Sequence, residues 1–387
     1  MTPQKLKQTE IGTIPEDWES KKLEDVGLFR YGYTATSIQE DTGVKYIRIT
    51  DISENGSIDW ENMPFCKISN EEFEKYKINE GDILFARIGA TAGKTCYIES
   101  KKDAAFASYL IRFQVKHGTN SKFIYFFTQS SLYWSQALRL REGQLKKGLN
   151  ANTLAEIEIL LPSELEQNTI VNILSTIDLR IDIVERERRI IERLKVGIMR
   201  ELFEGKEWKI VKLGDENLFE LIMGQSPPSS SYNREGKGLP FLQGNAEFGP
   251  IYPNPTVYCS KPLKVAKSDD ILISVRAPVG ELNIADKDCC IGRGIGAIRA
   301  KSGINHIFLF YYLKFINRKI NSIAGGSTFK AVTKSQLERF EINIPLLQEQ
   351  EKIAEILSNL DKKLSIQQFK KSKLDTIKKG LMNDLLS

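Results

Sequence analysis

The chain has 387 residues, 41% hydrophobic and 27% charged, which is enough for two or three globular cores. No apolar run approaches the ~20 residues of a membrane span, and the opening MTPQKLKQTEIG lacks a signal-peptide core, so the expected location is cytoplasmic, with no membrane partner. Five cysteines show no C-x-x-C and the only histidines are His117 and His306, which argues against a zinc or iron–sulfur site.

In chain order, residues 1–150 form a first globular segment. It contains KYIRITDI (45–52), GDILFARIGATAGKTCYI (81–98), AAFASYLIRFQV (104–115) and FIYFFTQSSLYWSQAL (123–138). Short β-branched and aromatic runs between Gly, Asn and Asp predict strands, and the last aromatic run predicts a helix. Residues 151–205 then carry ELEQNTIVNILSTIDLRIDIVERERRIIERLKVGIMRELFE, free of proline and with one glycine, Gly197. Apolar residues fall at Ile170, Leu174, Ile177, Ile181, Val184, Ile191, Leu194, Ile198 and Leu202. Their spacing alternates four and three, meets Arg188 at one position, and finishes three, four, four. Such a stripe predicts a long helix whose seam packs on a partner helix.

The partner is in the same chain. A shift of 183 residues carries Pro162 onto Pro345, Glu166 onto Glu349, Gln167 onto Gln350 and Gly197 onto Gly380 without a gap. The copied seam is Ile353, Leu357, Leu360, Leu364, Leu374, Ile377, Leu381 and Leu385, within residues 335–387. Between the helices, residues 206–334 repeat the first segment: EWKIVKLGDENLFEL matches DWESKKLEDVGLF, and DDILISVRAPVG matches GDILFARIGATAG. The fold class is therefore α+β: two similar, mostly-β domains alternating with two long helices, an internal repeat. Loops between matched strands differ, most of all in MGQSPPSSSYNREGKG (223–238).

Catalytic signatures are missing. GATAGKT (89–95) encloses three residues between Gly89 and Gly93 where a phosphate loop needs four, and its matched stretch has no lysine. There is no Asn/Asp-Pro-Pro-aromatic tetrapeptide for methyl transfer, no convincing nuclease triplet, and no histidine placed for a hydrolytic triad. Basic and polar residues at matched places remain. Arg87 and Arg276 end the D-I-L strands; Lys147 and Lys330 follow glycine-containing turns; Lys94, Lys146 and Lys334 lie in similar loops. Arg48 and Gln243 occupy equivalent strand positions, where an arginine suits guanine and a glutamine suits adenine. On DNA the lysines would contact phosphates; otherwise these residues are solvated strand ends or structural ion pairs. The net charge is +5, while residues 163–205 carry −2 and residues 346–387 carry +2, so the excess lies in the domains.

At this point the whole chain resembles the specificity subunit of type I restriction–modification systems. TEIGTIPEDWE (9–19), GDILFAR, the GSTFK turn, and IEILLPSELEQNTIVNILSTID with its copy FEINIPLLQEQEKIAEILSNLD carry the resemblance. It departs from the family at Pro-Ser-Glu-Leu-Glu-Gln, where Pro-Pro-Leu is usual. The resemblance implies two target-recognition domains separated by an antiparallel coiled coil with pseudo-twofold symmetry. Each domain would read half of an asymmetric bipartite site in double-stranded DNA, and the helices would set the gap. It further implies a non-catalytic chain, two modification (methyltransferase) subunits holding S-adenosylmethionine, and restriction (translocase/nuclease) subunits joining them. The alternatives are a coiled-coil adaptor that touches no DNA and a stand-alone DNA-modifying enzyme.

Overall fold

The computed structural model describes every residue except 1–5, 10–11, 54–55, 101, 143–147, 324–330 and 387. Two compact units emerge, Met1–Glu185 with Phe369–Ser387, and Arg186–Gln368. Each joins one globular domain to one end of both long helices.

In the first unit a four-stranded antiparallel sheet runs Gly27–Tyr31, Leu110–Val115, Ile83–Ala86, Thr95–Tyr97. The strand Ile83–Ala86 is buried along its whole length. Its alternation explains why: Ile83 and Phe85 enter one core with Phe123, Phe126 and Tyr133, while Leu84 and Ala86 enter another with Ile47, Cys96 and Phe106. A second four-stranded sheet contains Lys45–Ile47 and Ala104–Phe106 as a parallel pair. The second unit repeats this plan. Phe219–Met223, Ile295–Ala300, Ile271–Ser274 and Leu282–Ile284 form the antiparallel sheet, and Leu239–Leu242 pairs in parallel with Cys289–Ile291. Ile271 and Ile273 face the helix-side core and Leu272 the other. The Cys289–Cys290 pair lies buried in a strand.

The aromatic run of the first domain departs from expectation. It forms two helices, Ser121–Phe127 and Ser131–Glu142, in place of one. Thr128 closes the first by donating its hydroxyl to the Tyr125 carbonyl at 2.6 Å.

Each domain hands its chain to a long helix through the same device. Gln167, 4% exposed, donates Nε2 to the Pro162 carbonyl at 2.9 Å and accepts the Asn120 N–H at 2.9 Å. Asn120 in turn caps the helix Ser121–Phe127. In the copy, Gln350 donates to the Pro345 and Gly303 carbonyls and accepts from Asn305, the cap of His306–Phe315. The glutamine of the Pro-x-x-x-Glu-Gln stretch is thus a structural clip between helix and domain.

The long helices span Glu164–Phe203 and Leu347–Leu386, 40 residues each. In the first unit Asp178 pairs with Lys378 at 2.6 Å and Glu185 with Lys371 at 2.9 Å. In the second, Gln367 donates to Glu187 at 2.9 Å and Lys195 pairs with Asp361 at 2.5 Å. Numbers rise on one helix as they fall on the other, so the helices are antiparallel within each unit. Their apolar seam enters the domain cores: Ile170 and Leu174 beside Leu381 and Leu385, and Ile191, Ile198 and Leu202 beside Ile353, Leu357 and Leu360. Ile177, Ile181, Val184, Leu364 and Leu374 are likewise buried or half-buried.

Two expected seam residues are corrected. Leu194 is 51% and Ile377 50% exposed, and the inward positions belong to Lys195 and Lys378. With that change the seam from Ile170 to Leu202 alternates four and three throughout, and so does its copy. The lysines fit because a long aliphatic stem can cover an aromatic ring while its head finds a carboxylate. Lys195 Nζ lies 5.0 Å from the Tyr311 ring centroid, and Lys378 Nζ 5.6 Å from that of Phe126. Tyr311 also donates its hydroxyl to Asp361 at 2.5 Å, and burial with that carboxylate drives the phenol well above its ordinary range. Asp361→Ala would strand a lysine that is 17% exposed and a buried hydroxyl. Thermal unfolding should show a loss of about 3 kcal/mol, most of it regained when Lys195→Leu is added.

Candidate nucleic-acid interface

Four segments converge at one end of the sheets in each domain, because parallel strands bring their C-terminal ends together. In the first domain Ala107 donates its N–H to Ile47 at 2.9 Å, Arg87 to Tyr109 at 3.0 Å, Gly32 to Leu110 at 3.1 Å and Tyr33 to Phe106 at 2.8 Å. The second domain repeats all four bonds: Gly292 to Leu242 at 2.8 Å, Val275 to Gly294 at 2.9 Å, Gly224 to Ile295 at 2.9 Å and Gln225 to Ile291 at 3.0 Å. A Cβ on Gly32 would lie 2.1 Å from the Ala107 carbonyl oxygen, and one on Gly224 2.1 Å from that of Gly292. Only glycine allows this crossing of backbones. The edge is one scaffold made twice.

Its side chains differ. Arg48 and Gln243 are equivalent, each following the strand residue that accepts from the neighbouring turn. Arg48 is occupied: Nε and Nη2 donate to Asp51 at 3.0 and 2.8 Å, and its backbone N–H donates to the same carboxylate at 2.8 Å. The fork that would grip guanine is turned inward, so Arg48 takes the ion-pair role. Gln243 is exposed, and its Oε1 accepts the Ser226 hydroxyl at 3.0 Å.

The match of Arg87 with Arg276 is corrected by one residue. Val275, not Arg276, makes the backbone bonds that Arg87 makes, to the turn before the long strand and from the segment Leu149 or Val332. A shift of one along a strand reverses the face a side chain takes. Arg87 lies over the Tyr31 ring at 4.9 Å, whereas Arg276 is exposed. Lys94 is half-buried after a hairpin loop in which Gly89 and Gly93 have φ of 77° and 94°. That loop leads into the strand Thr95–Tyr97, so no helix N-terminus faces it as a phosphate loop requires. Lys334 is exposed and pairs loosely with Glu338 at 3.6 Å. Lys146, Lys147 and Lys330 lie outside the described residues.

Sequence reasoning missed a concavity on this edge of the second domain with a size fit for a base edge. About 510 Å³ is lined by Ser226, Tyr232, Phe241, Gln243, Glu247 and Arg293, among others. Arg293 sits in a Gly-Arg-Gly turn between two strands, a signal that only their pairing makes legible. Its structural equivalent in the first domain is Ser108.

The buried cysteines are not poised for covalent chemistry. Burial pushes the Cys66 thiol up to about 11 and those of Cys96, Cys289 and Cys290 up to about 12, away from the thiolate form. Among the described residues no group of three or more His, Cys, Asp or Glu is placed to hold a metal. Arg48→Ala should leave the 8%-exposed Asp51 uncompensated. The expected result is a lower unfolding midpoint, by about 1–3 kcal/mol, with the bases preferred by the assembled protein unchanged.

A family model described as the type I restriction modification DNA specificity domain matches the chain twice, over residues 15–193 and 205–376. A putative type I restriction enzyme MjaX specificity subunit of Methanocaldococcus jannaschii is 38% identical, covering 99% of this chain and 96% of the relative. The MjaVIII specificity subunit of the same organism is 27% identical over 97% of this chain and 93% of its own. Among solved structures, a chain from work on complex assembly and conformational transition of a type I restriction–modification system is 28% identical, with a TM-score of 0.60 over 96% of this chain and 98% of that one. The S subunit from M. genitalium shares the fold, with a TM-score of 0.66 at 18% identity, covering 96% of each chain.

Proposed function

Because the chain belongs to the family of type I restriction–modification specificity subunits, which are non-catalytic, we propose that each domain reads one half of an asymmetric bipartite site in double-stranded DNA. The observation that carries this reading is the duplicated edge: identical backbone bonds place different residues at matched positions, Ser108 and Arg87 in one domain where Arg293 and Val275 stand in the other, and an ion-paired Arg48 where Gln243 is exposed. A scaffold kept twice with different side chains recognises two different short sequences. The antiparallel helices set the gap between them, centred about one helical turn, or ~10 base pairs, apart if both domains meet the same face of the duplex.

Two modification subunits dock on this chain, hold S-adenosylmethionine and flip the target adenine from the stack, since its reactive atom is out of reach within the duplex. Restriction subunits join that core, and the assembly works in the cytoplasm. Each unit carries one copy of the same pair of exposed apolar helix positions. Ile183 and Ile377 are 45% and 50% exposed in the first unit; Ile366 and Leu194 are 53% and 51% exposed in the second. A shift of 183 residues relates the members, which supports one docking position per unit.

Sequencing the methylated bases of cells that express the chain with its modification subunit should give a two-part motif of fixed spacing. Replacing residues 206–334 by the corresponding segment of a relative should alter one part only; altering both or neither sinks the modular reading. Adding seven residues to each long helix lengthens it by roughly 10 Å, about three base pairs of rise. The gap should widen accordingly, and an unchanged gap defeats the spacer role.

A further inference from the structure

We propose that the second domain reads its half-site through Gln243 and Arg293, with Gln243 on adenine and Arg293 on guanine, and that Ser226 positions Gln243 for this. The inference rests on the DNA-reading function above and deepens it to named bases. Ser226 Oγ accepts the Arg293 backbone N–H at 3.2 Å and donates its own proton to Gln243 Oε1, 3.0 Å away. The amide thus turns its oxygen toward Ser226. Nε2 is left as a donor and Oε1 keeps a second lone pair, the donor–acceptor pair that adenine N7 and N6 require. Gly292 makes this pose possible, since a Cβ there would fall 2.4 Å from Gln243 Oε1.

Arg293 supplies the second reader. Its guanidinium is exposed on the same concavity, and among the described residues no carboxylate or carbonyl pairs with it, so its fork is available for guanine O6 and N7. Glu247 lines the same space with a buried carboxylate oxygen, Oε2, that has no hydrogen-bond donor. The stacked rings of Tyr232 and Phe241, 4.5 Å apart, hold the wall rigid. The first domain lacks this device: Arg48 is tied to Asp51 and Ser108 stands where Arg293 does.

The test uses the chain assembled with its modification subunits and a duplex library randomised in both half-sites, with sequences counted before and after binding. Arg293→Lys keeps a charge for phosphate but loses the fork. It should lower the preference for one guanine, in one half-site, by about tenfold or more. Gln243→Ala should do the same for one adenine, and Ser226→Ala should relax that same adenine to a lesser degree. The half-site of the first domain and the thermal unfolding midpoint should not move. Unchanged preferences in the three variants overturn the assignment, as does a uniform weakening across both half-sites. If the unaltered assembly itself selects no two-part sequence, the DNA-reading function fails instead.

Discussion

A paired seam between two helices is the constraint on which the other features depend. Within each unit, the helix-side core is completed by residues of both long helices, so neither domain has a finished interior without them. A seam made of leucine alone would tolerate sliding, because one apolar layer resembles the next. Here seam lysines meet carboxylates of the other helix, Lys378 with Asp178 and Lys371 with Glu185 in one unit and Lys195 with Asp361 in the other. Slipping by a heptad would part Lys195 from Asp361 and leave that lysine without a carboxylate in a half-buried position, which costs more than a displaced leucine gains. Polar seam residues of this kind fix register at some expense of stability.

From the seam the order passes outward through hydrogen bonds. Gln167 and Gln350 each join the first turn of a long helix to the cap of a domain helix, so the helix direction determines where that domain helix starts. The domain helices pack on the antiparallel sheet, with Phe123 and Phe126 in one core and Phe308 and Phe310 in the other. That sheet carries the edge where four backbone bonds recur in each domain. A rigid support is what a base reader needs, because bidentate hydrogen bonds discriminate only when donor and acceptor are held in place.

Much of this architecture was legible in the sequence, and the departures have physical causes. The duplication shows in an ungapped shift, and the alternation of Ile83, Leu84, Phe85 and Ala86 already implies a strand between two cores. Leu194 and Ile377 were misplaced because periodicity counts apolar letters, and a lysine stem that packs on a ring does not count. Arg87 and Arg276 invite pairing by eye, but register is set by backbone bonds, which assign Val275 to Arg87. The occupation of Arg48 by Asp51 involves a neighbour only three residues away, yet nothing in the letters says that the carboxylate is buried. Arg293 was missed because its surroundings come from the separate segments around Ser226, Gln243 and Glu247.

Charge then divides the labour between this chain and its assembly. The two helix segments cancel, which leaves an excess of +5 for both domains together. Nonspecific affinity for duplex DNA comes from neutralising phosphates, and a protein making six to ten such contacts draws on roughly that many cations at one surface. Several basic side chains here are engaged internally: Arg112 donates to the Lys77 carbonyl, Arg299 to Asp270 and Glu220, and Arg48 to Asp51. An excess of this size, spread over two reading edges, is too small to supply most of the phosphate term. Discrimination between bases is a different quantity, and a few well-held polar side chains suffice for it. A chain with modest charge and two dissimilar edges is therefore better suited to choosing the sequence than to supplying the bulk of the affinity for the duplex.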